Sequence, residues 1–469
     1  MSVSDVAVVG ASSGGSPPLV GMAWWRSIGS PRYVCAPMVD ASELPFRMLC
    51  REFGTTLCYT PMMHSRLLVE QAGYAEEHFS TCAADRPLIA QLCGHDPAVV
   101  LAAARVLQDR GVDAIDLNLG CPQGIARRGR YGAFLLDEPE TILAIVRALA
   151  GGLRVPVTCK IRVLATQEAT LKLARDIEAA GASLLTVHGR QRANMKQNIT
   201  TADWDIIAAI KRELKIPVIA NGSIGCFADV EECLRLTGVD GVMSSEALLE
   251  NPGLFAANMP TAGPLPSAVP ANAFALSRRY LEIARETNFK NVGTIRGHMF
   301  KFLFGVLRAF PQVMDSLLKA KTMEEVEAVV ETALAVHGAS TFADASRSAA
   351  GIAATEAAAA QRKAAGVIAG FQGKPLAWAE EGYLSDPSIP GSWYMRHRPD
   401  AYSGAKAPSG LRPLSAKKRA RAEAAQVKDE AEKGCVSVQV GDGEGEGGGA
   451  TQEKAVVSKE DLSGNEVVG

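Results

Sequence analysis

The sequence predicts an α/β fold: a (β/α)8 TIM barrel with a smaller C-terminal helical domain and a disordered tail. Three observations carry that expectation. Eight short, apolar or β-branched runs alternate with helical patterns between Arg32 and Phe255. The runs are apolar nearly throughout, as strands covered on both faces must be. Polar or reactive residues stand at the same end of nearly every run, the end where such barrels gather their chemistry. A doubly wound parallel sheet is the structural runner-up from pattern alone.

In order along the chain, strands are predicted at 33–38, 57–60, 88–92, 114–117, 157–161, 184–187, 218–220 and 241–243. Helices are expected between them, among them 97–110, 139–150, 168–180, 205–213 and 229–236. Asp205 and Asp229 each put a carboxylate in a first turn, where the helix dipole favours it. Residues 1–30 are rich in Gly, Ser and Pro and read as a flexible arm, ahead of a barrel domain at 31–260. Residues 270–345 are helical in period, as in 274–285 and 298–310, and read as a small α-domain. Residues 346–469 turn Ala-rich, carry a basic cluster at Lys417–Arg421 and end in a Gly-rich stretch; they read as disordered.

Bulk composition narrows the function classes. The chain has 469 residues, 47% hydrophobic, with a formal net charge of -2. Near neutrality argues against a wholly basic nucleic-acid binder but leaves room for a local basic face. The ten cysteines are scattered without a CxxC pair, so no zinc spacing and no disulfide framework is expected. No apolar run has the length of a membrane span. Residues 1–21 lack the basic start of a secretory signal, and no arginine precedes Arg26. A cytoplasmic or nuclear protein, without metal or membrane and acting as a monomer, is the expectation. Val9-Gly10 with Gly14-Gly15 faintly mimics a dinucleotide loop, but Pro17 and Pro18 block the helix such a loop must open.

The strand ends hold the candidate chemistry. Ala36-Pro37-Met38 follows the first strand, and Gln91 lies within the third. Asn118-Leu119-Gly120-Cys121-Pro122 follows the fourth, Lys160-Ile161-Arg162 closes the fifth, and His188-Gly189-Arg190 follows the sixth. Asn221-Gly222-Ser223 and Ser244-Ser245-Glu246 follow the last two. A lone cysteine is usually a small buried apolar residue. Cys121 differs because Gly120 and Pro122 hold it in a rigid turn above the mouth, where a thiol can act as nucleophile or proton donor. An inward Lys160 would stabilise negative charge on a bound ring. Loops after the seventh and eighth strands commonly bind phosphate through backbone N–H groups.

Taken together, and in this order and spacing, these segments resemble the tRNA-dihydrouridine synthases. The stretch from Asn118 to Leu135, with Gln123 to Gly129 and Tyr131 to Leu135, is similar to the eukaryotic branch acting on D-loop uridines 16 and 17, as are Ser27–Pro31 and Ser42–Arg47. The resemblance covers about residues 22–312. It implies an FMN-binding barrel and a helical domain with tRNA held between them, and NADPH or NADH as reductant. It implies that Cys121 is the proton donor. Ala36, Pro37, Met38, Gln91, Lys160, His188, Asn221, Gly222, Ser223, Ser245 and Glu246 would line FMN, and Asn118 and Arg190 would hold the uracil or its backbone. Ser223, Glu246 and the segment 195–198 depart from the usual family pattern. Two other readings share these features: an FMN barrel oxidoreductase acting on a small molecule, of the dihydroorotate dehydrogenase kind, and a non-catalytic tRNA-binding protein. Arg127, Arg128 and Arg130 beside the cysteine favour RNA over a small molecule, and the intact Cys121 and Lys160 favour catalysis.

Overall fold

A computed structural model of the chain describes residues 19–194, 200–258 and 273–344. The predicted tail 346–469, with its basic cluster, and the segment 195–198 lie outside the described residues. Among the described residues nine parallel strands form one sheet: β1 (Tyr33–Cys35), β2 (Leu57–Tyr59), β3 (Met63–His64), β4 (Leu88–Cys93), β5 (Ala114–Leu119), β6 (Val157–Arg162), β7 (Leu184–His188), β8 (Val218–Asn221) and β9 (Gly241–Ser244). Pairing of β1 with β9 closes it into a barrel. Two of the nine act as one barrel strand. Cys58 and Tyr59 of β2 pair with Leu88 and Ile89, and further up Met63 and His64 of β3 pair with Leu92 and Cys93. The gap between them holds Pro61, which has no N–H to give a ladder. The closed barrel thus has eight strand positions, the architecture expected, and excludes the doubly wound sheet.

All eight predicted strands are present; the first two end at Cys35 and Tyr59, short of the predicted 38 and 60, and the other six run one or two residues longer at the C-terminal end than the apolar runs implied. The five predicted barrel helices appear as Pro97–Asp109, Pro139–Gly152, Gln167–Ala179, Trp204–Glu213 and Phe227–Thr237. Asp205 and Asp229 lie in the first turns of their helices, as expected. Asp203 caps the first of them, accepting from the Ile206 N–H at 3.0 Å. Asp229 sits inside the first turn and accepts from the N–H groups of Gly225 and Cys226 at 2.7 and 3.1 Å.

Side chains alternate across the strands. Leu57, Tyr59, Ile89, Ala114, Leu184, Ile219 and Met243 meet inside the barrel, while Leu88, Ile115, Leu117, Cys159, Ile161 and Val187 face the helices. Trp24 and Trp25, from a helix at Gly21–Ser27, join the inner cluster and are 5% and 1% exposed. The flexible arm expected over residues 1–30 therefore does not extend to residue 30. Its Gly, Ser and Pro content masked the adjacent indoles, which gain much by leaving water.

The helices Ala273–Glu286, Val292–Phe302, Phe304–Ala309, Pro311–Lys319 and Met323–Asp344 follow the barrel. The expected helix over 298–310 begins earlier, where Asn291 accepts from the Thr294 N–H at 3.1 Å, and breaks at Leu303. These helices dock on the loop after β1. Tyr280 Oη donates to Glu43 at 2.8 Å, His298 Nε2 lies 3.0 Å from the same carboxylate, and the His298 ring stacks on Phe46 at 4.7 Å. Among the described residues no helix is long and apolar enough to cross a membrane.

Trp25→Ala should lower the unfolding free energy by ~3–5 kcal/mol, the usual cost of deleting a buried indole. Urea unfolding measures it, and a loss well under ~1 kcal/mol would show that the helix does not seal the barrel.

Candidate active site

The strands lengthen at their C-terminal ends because the last inward positions are polar. Register places these positions side by side: Asn118 with Lys160, Arg162 with His188, His188 with Asn221, and Asn221 with Met243. Lys160 Nζ donates to Asn221 Oδ1 at 2.9 Å, and Asn221 Nδ2 donates to the Met243 carbonyl at 3.0 Å. The lysine is buried among barrel side chains. Burial, reinforced by Arg162, brings its pKa down to about 8, with Asp116 and Cys121 pulling the other way. It therefore stays charged at neutral pH. Burial and the cations Lys160, Arg162 and Arg190 hold His188 well below its ordinary value, so its imidazole is neutral.

Beside this row the chain turns sharply. Gly222 has φ 106° and Ser223 φ 59°, the left-handed region that only glycine enters freely. A Cβ on Gly222 would stand 2.9 Å from both the His188 ring and the Ala202 methyl. Trp204 Nε1 donates to the Gly222 carbonyl at 3.1 Å. The buried Ser223 hydroxyl accepts from Ala202 N at 2.8 Å and Arg190 Nη2 at 3.3 Å, which explains a hydroxyl residue here. The N–H groups of Gly222, Ser223 and Ile224 find no acceptor among the described residues. Successive outward N–H groups of this kind cradle anions. A cavity opens over the turn, walled by His188, Arg190, Asn221, Gly222, Ser223, Ser245 and Glu246, all singled out from sequence. Ile224, Met243 and Ser244 complete its wall; Ile224 and Met243 were missed, although each adjoins a chosen motif, and Ser244 was named in its motif but not among the cofactor-lining residues.

Ala36, Pro37 and Met38 sit across the closure. Ala36 N donates to the Ser244 carbonyl at 3.0 Å, and the Met38 N–H donates to Ser42 Oγ at 3.0 Å. Gln91 lies lower, inside β4, and its amide is held by Asp116 and Asn118 at 2.8 and 2.7 Å. Asn118 likewise has both ends of its amide occupied within the protein.

Cys121 is half-buried on the loop leaving β5. Asn118 Oδ1 accepts its N–H at 2.9 Å and that of Gly120 at 3.0 Å. Arg162 Nε donates to the Gly120 carbonyl at 2.8 Å, and Ala133 N donates to the Cys121 carbonyl at 3.0 Å. Gly132 passes so near that a Cβ there would stand 3.0 Å from Cys121 Cβ. Cys121 is near enough to Lys160 to be among the groups that act on the lysine's pKa. Thiol, ammonium, neutral imidazole and Gly222 turn thus share one barrel mouth. Such a set can bind an anionic group at the turn, stabilise negative charge beside the lysine and deliver a proton from sulfur. Among the described residues no His, Cys, Asp and Glu cluster could hold a metal ion. Sequence reading gave no role to Arg162 and passed over Asp116.

The family model for dihydrouridine synthase (Dus) matches residues 34–337. The chain belongs to the dihydrouridine synthase family. Over 316 residues it is 44% identical to a tRNA-dihydrouridine(16/17) synthase (NAD(P)(+))-like protein of Rattus norvegicus, covering 67% of this chain and 69% of that one. It is 40% identical over 320 residues to the tRNA-dihydrouridine(16/17) synthase (NAD(P)(+)) of Schizosaccharomyces pombe, covering 66% and 79%. The Saccharomyces cerevisiae protein of the same name is 37% identical over 335 residues, covering 69% and 78%. Within this family member, the electrostatics of the mouth make a direct prediction. The ring-nitrogen NMR signals of His188 should report a neutral imidazole at pH 6; an imidazolium there would mean that the surrounding cations are not as close as described.

Proposed function

We propose that the chain reduces uridines 16 and 17 of the tRNA D-loop to 5,6-dihydrouridine, with FMN in the barrel mouth and NAD(P)H as reductant. The observation that carries this reading is the shared mouth: Cys121, Lys160 and the Gly222 turn, in a chain of this family. The residues fit FMN. The free N–H groups at Gly222–Ile224 suit its phosphate, the absent Cβ of Gly222 lets it approach, and the buried ammonium of Lys160 suits an anionic ring edge. Bound FMN, once reduced, would supply hydride to C6 of the uracil.

The protein's own task is the rest. Uracil's 5,6 double bond is conjugated to a carbonyl, so charge builds at C5 and its neighbour as C6 is attacked. The Cys121 thiol delivers a proton to C5, and for this it must start protonated. Its turn is fixed from below by Asn118 and from the side by Arg162, which keeps the sulfur in place while the base enters. The uridine must leave its stack, at a cost of a few kcal/mol. Cations on the mouth's rim can repay part of it. Arg127 and Arg128 are exposed on the helix Gly124–Arg128 and are the candidates for phosphate contact, whereas Arg130 is paired with Glu138 at 3.0 Å.

Mapping dihydrouridine by mass in tRNA from cells lacking the protein tests the reading, with loss at positions 16 and 17 expected and an unchanged map against it. Cys121→Ala should keep flavin and tRNA binding while dihydrouridine formation falls about a hundredfold or more, the scale of a lost general acid. Undiminished product would remove the thiol from the reaction. Gly222→Ala should weaken FMN retention by about tenfold or more, from strain and the clash with His188. Flavin absorbance per mole of purified protein reads it, and full retention would place the cofactor elsewhere.

A further inference from the structure

The centre of the barrel carries a hydrogen-bonded series that runs upward to Cys121. Thr158 Oγ1 donates to Asp116 Oδ1 at 2.5 Å, and Gln91 Nε2 donates to Asp116 Oδ2 at 2.8 Å. Asn118 Nδ2 donates to Gln91 Oε1 at 2.7 Å. Asn118 Oδ1 then accepts both N–H groups of the turn, from Gly120 at 3.0 Å and Cys121 at 2.9 Å. Asp116 and Gln91 are almost wholly buried, so water offers them no alternative partner.

The direction of this series follows from its ends. The upper end presents only backbone N–H donors, so Asn118 must turn its oxygen up and its nitrogen down. Gln91 must then do the same, and whatever lies beneath must accept. A carboxylate accepts at both oxygens, and Asp116 uses one for Gln91 and the other for Thr158. Reversing any one amide sets N–H against N–H or oxygen against oxygen at a buried contact, which is costly. Barrel centres are ordinarily filled by branched apolar side chains. A buried carboxylate here is hard to explain as packing.

We propose that Asp116 is a positioning residue for Cys121, acting through Gln91 and Asn118 to hold the turn that carries the thiol. The inference rests on the role given to Cys121 above. Asp116 touches no substrate. It fixes which way two amides point, and these fix the backbone N–H groups from which the sulfur is hung. One carboxylate in the series satisfies every contact, and it can stand at any of its three positions; two carboxylates cannot.

That count supplies the test. Asn118→Asp sets a second carboxylate against Gln91 Oε1. Adding Asp116→Asn leaves a single carboxylate, now at the top. Gln91 can then reverse, donating upward to position 118 and accepting from the new amide at position 116, which still accepts from Thr158. Single-turnover dihydrouridine formation would be measured on tRNA with flavin-loaded, NAD(P)H-reduced protein, flavin content reporting folding. At pH 8 Asn118→Asp should be slower by about a hundredfold, as for a reacting group displaced by an ångström. It should recover as pH falls and the added carboxyl takes up a proton it can donate to Gln91. The double variant should regain most of the rate at pH 8 and lose that pH dependence. A double variant no faster than Asn118→Asp, or an Asn118→Asp protein as fast as wild type at pH 8, overturns the proposal. If the first pair does not retain flavin, Gln91→Glu with and without Asp116→Asn asks the same question with the carboxylate in the middle. An inactive wild type would instead refute the proposed function itself.

Discussion

Closure of the sheet between β1 and β9 is the constraint on which the site depends. Tyr33–Cys35 pairs with Val242–Ser244, joining strands from opposite ends of the barrel sequence. The Ala36–Met38 segment is thereby laid against Ser244, beside the Gly222 turn and Ser245. Without that pairing the loop after the first strand would not lie against Ser244, which walls the cavity over the Gly222 turn. Hydrogen bonds along one strand pair could not hold so large a ring alone; the apolar floor helps. Trp24 and Trp25 close the lower end where Leu57, Ile89, Ala114, Leu184 and Ile219 converge.

Above that floor the barrel turns from apolar to charged within two layers. Asp116 lies in the middle, its carboxyl pushed up to about 6 by burial, against hydrogen bonds from Thr158 and Gln91 and the charge of Lys160. Lys160 is in the layer above, its pKa moved down to about 8. Both shifts have the sign of groups kept charged where charge is unwelcome. In the unfolded chain the lysine would hold its proton to a higher pH. Its burial therefore costs stability at neutral pH, and the cost is relieved as pH rises above about 8. A fold built for stability alone would place an apolar residue here. Keeping the ammonium makes sense if it meets negative charge that develops only during reaction.

Much of this was legible in the sequence, and the reasons are local. The eight strands were visible because burial on both faces makes them apolar throughout. The first two were drawn one to three residues too long, and the upper ends of the other six were cut short, as where Asn118, Arg162, His188 and Asn221 look like loop residues yet stay in the ladder. The site motifs stood out because they follow strands. Asp116 did not, since within a strand it reads only as a break in an apolar run. Its meaning lies in contacts to Gln91 and Thr158, 25 and 42 residues away. The tryptophan pair was lost in a Gly- and Pro-rich context, and the split between β2 and β3 shows only in the register with β4. Docking of the helical segment through Glu43 was equally hidden, because a glutamate before Leu44-Pro45 reads as an ordinary helix start.

That docking bears on how substrate and site share a frame. Ser42 accepts from the Met38 N–H and donates to the Met38 carbonyl, at 3.0 and 3.2 Å, so the segment beside the proposed cofactor is folded tightly onto residue 42. The next residue, Glu43, is gripped by Tyr280 and His298. Arg47, one helical turn on, donates to the Ser42 carbonyl at 2.7 Å and pairs with the buried Asp85. Any displacement of the C-terminal helices must therefore be felt at Met38. Reaction geometry tolerates only fractions of an ångström. The thiol is referred to the barrel axis through Asn118, and the helices to the barrel wall through Glu43. The two references meet in the same rigid sheet, so a base presented from the helical side would reach a sulfur whose position is already set.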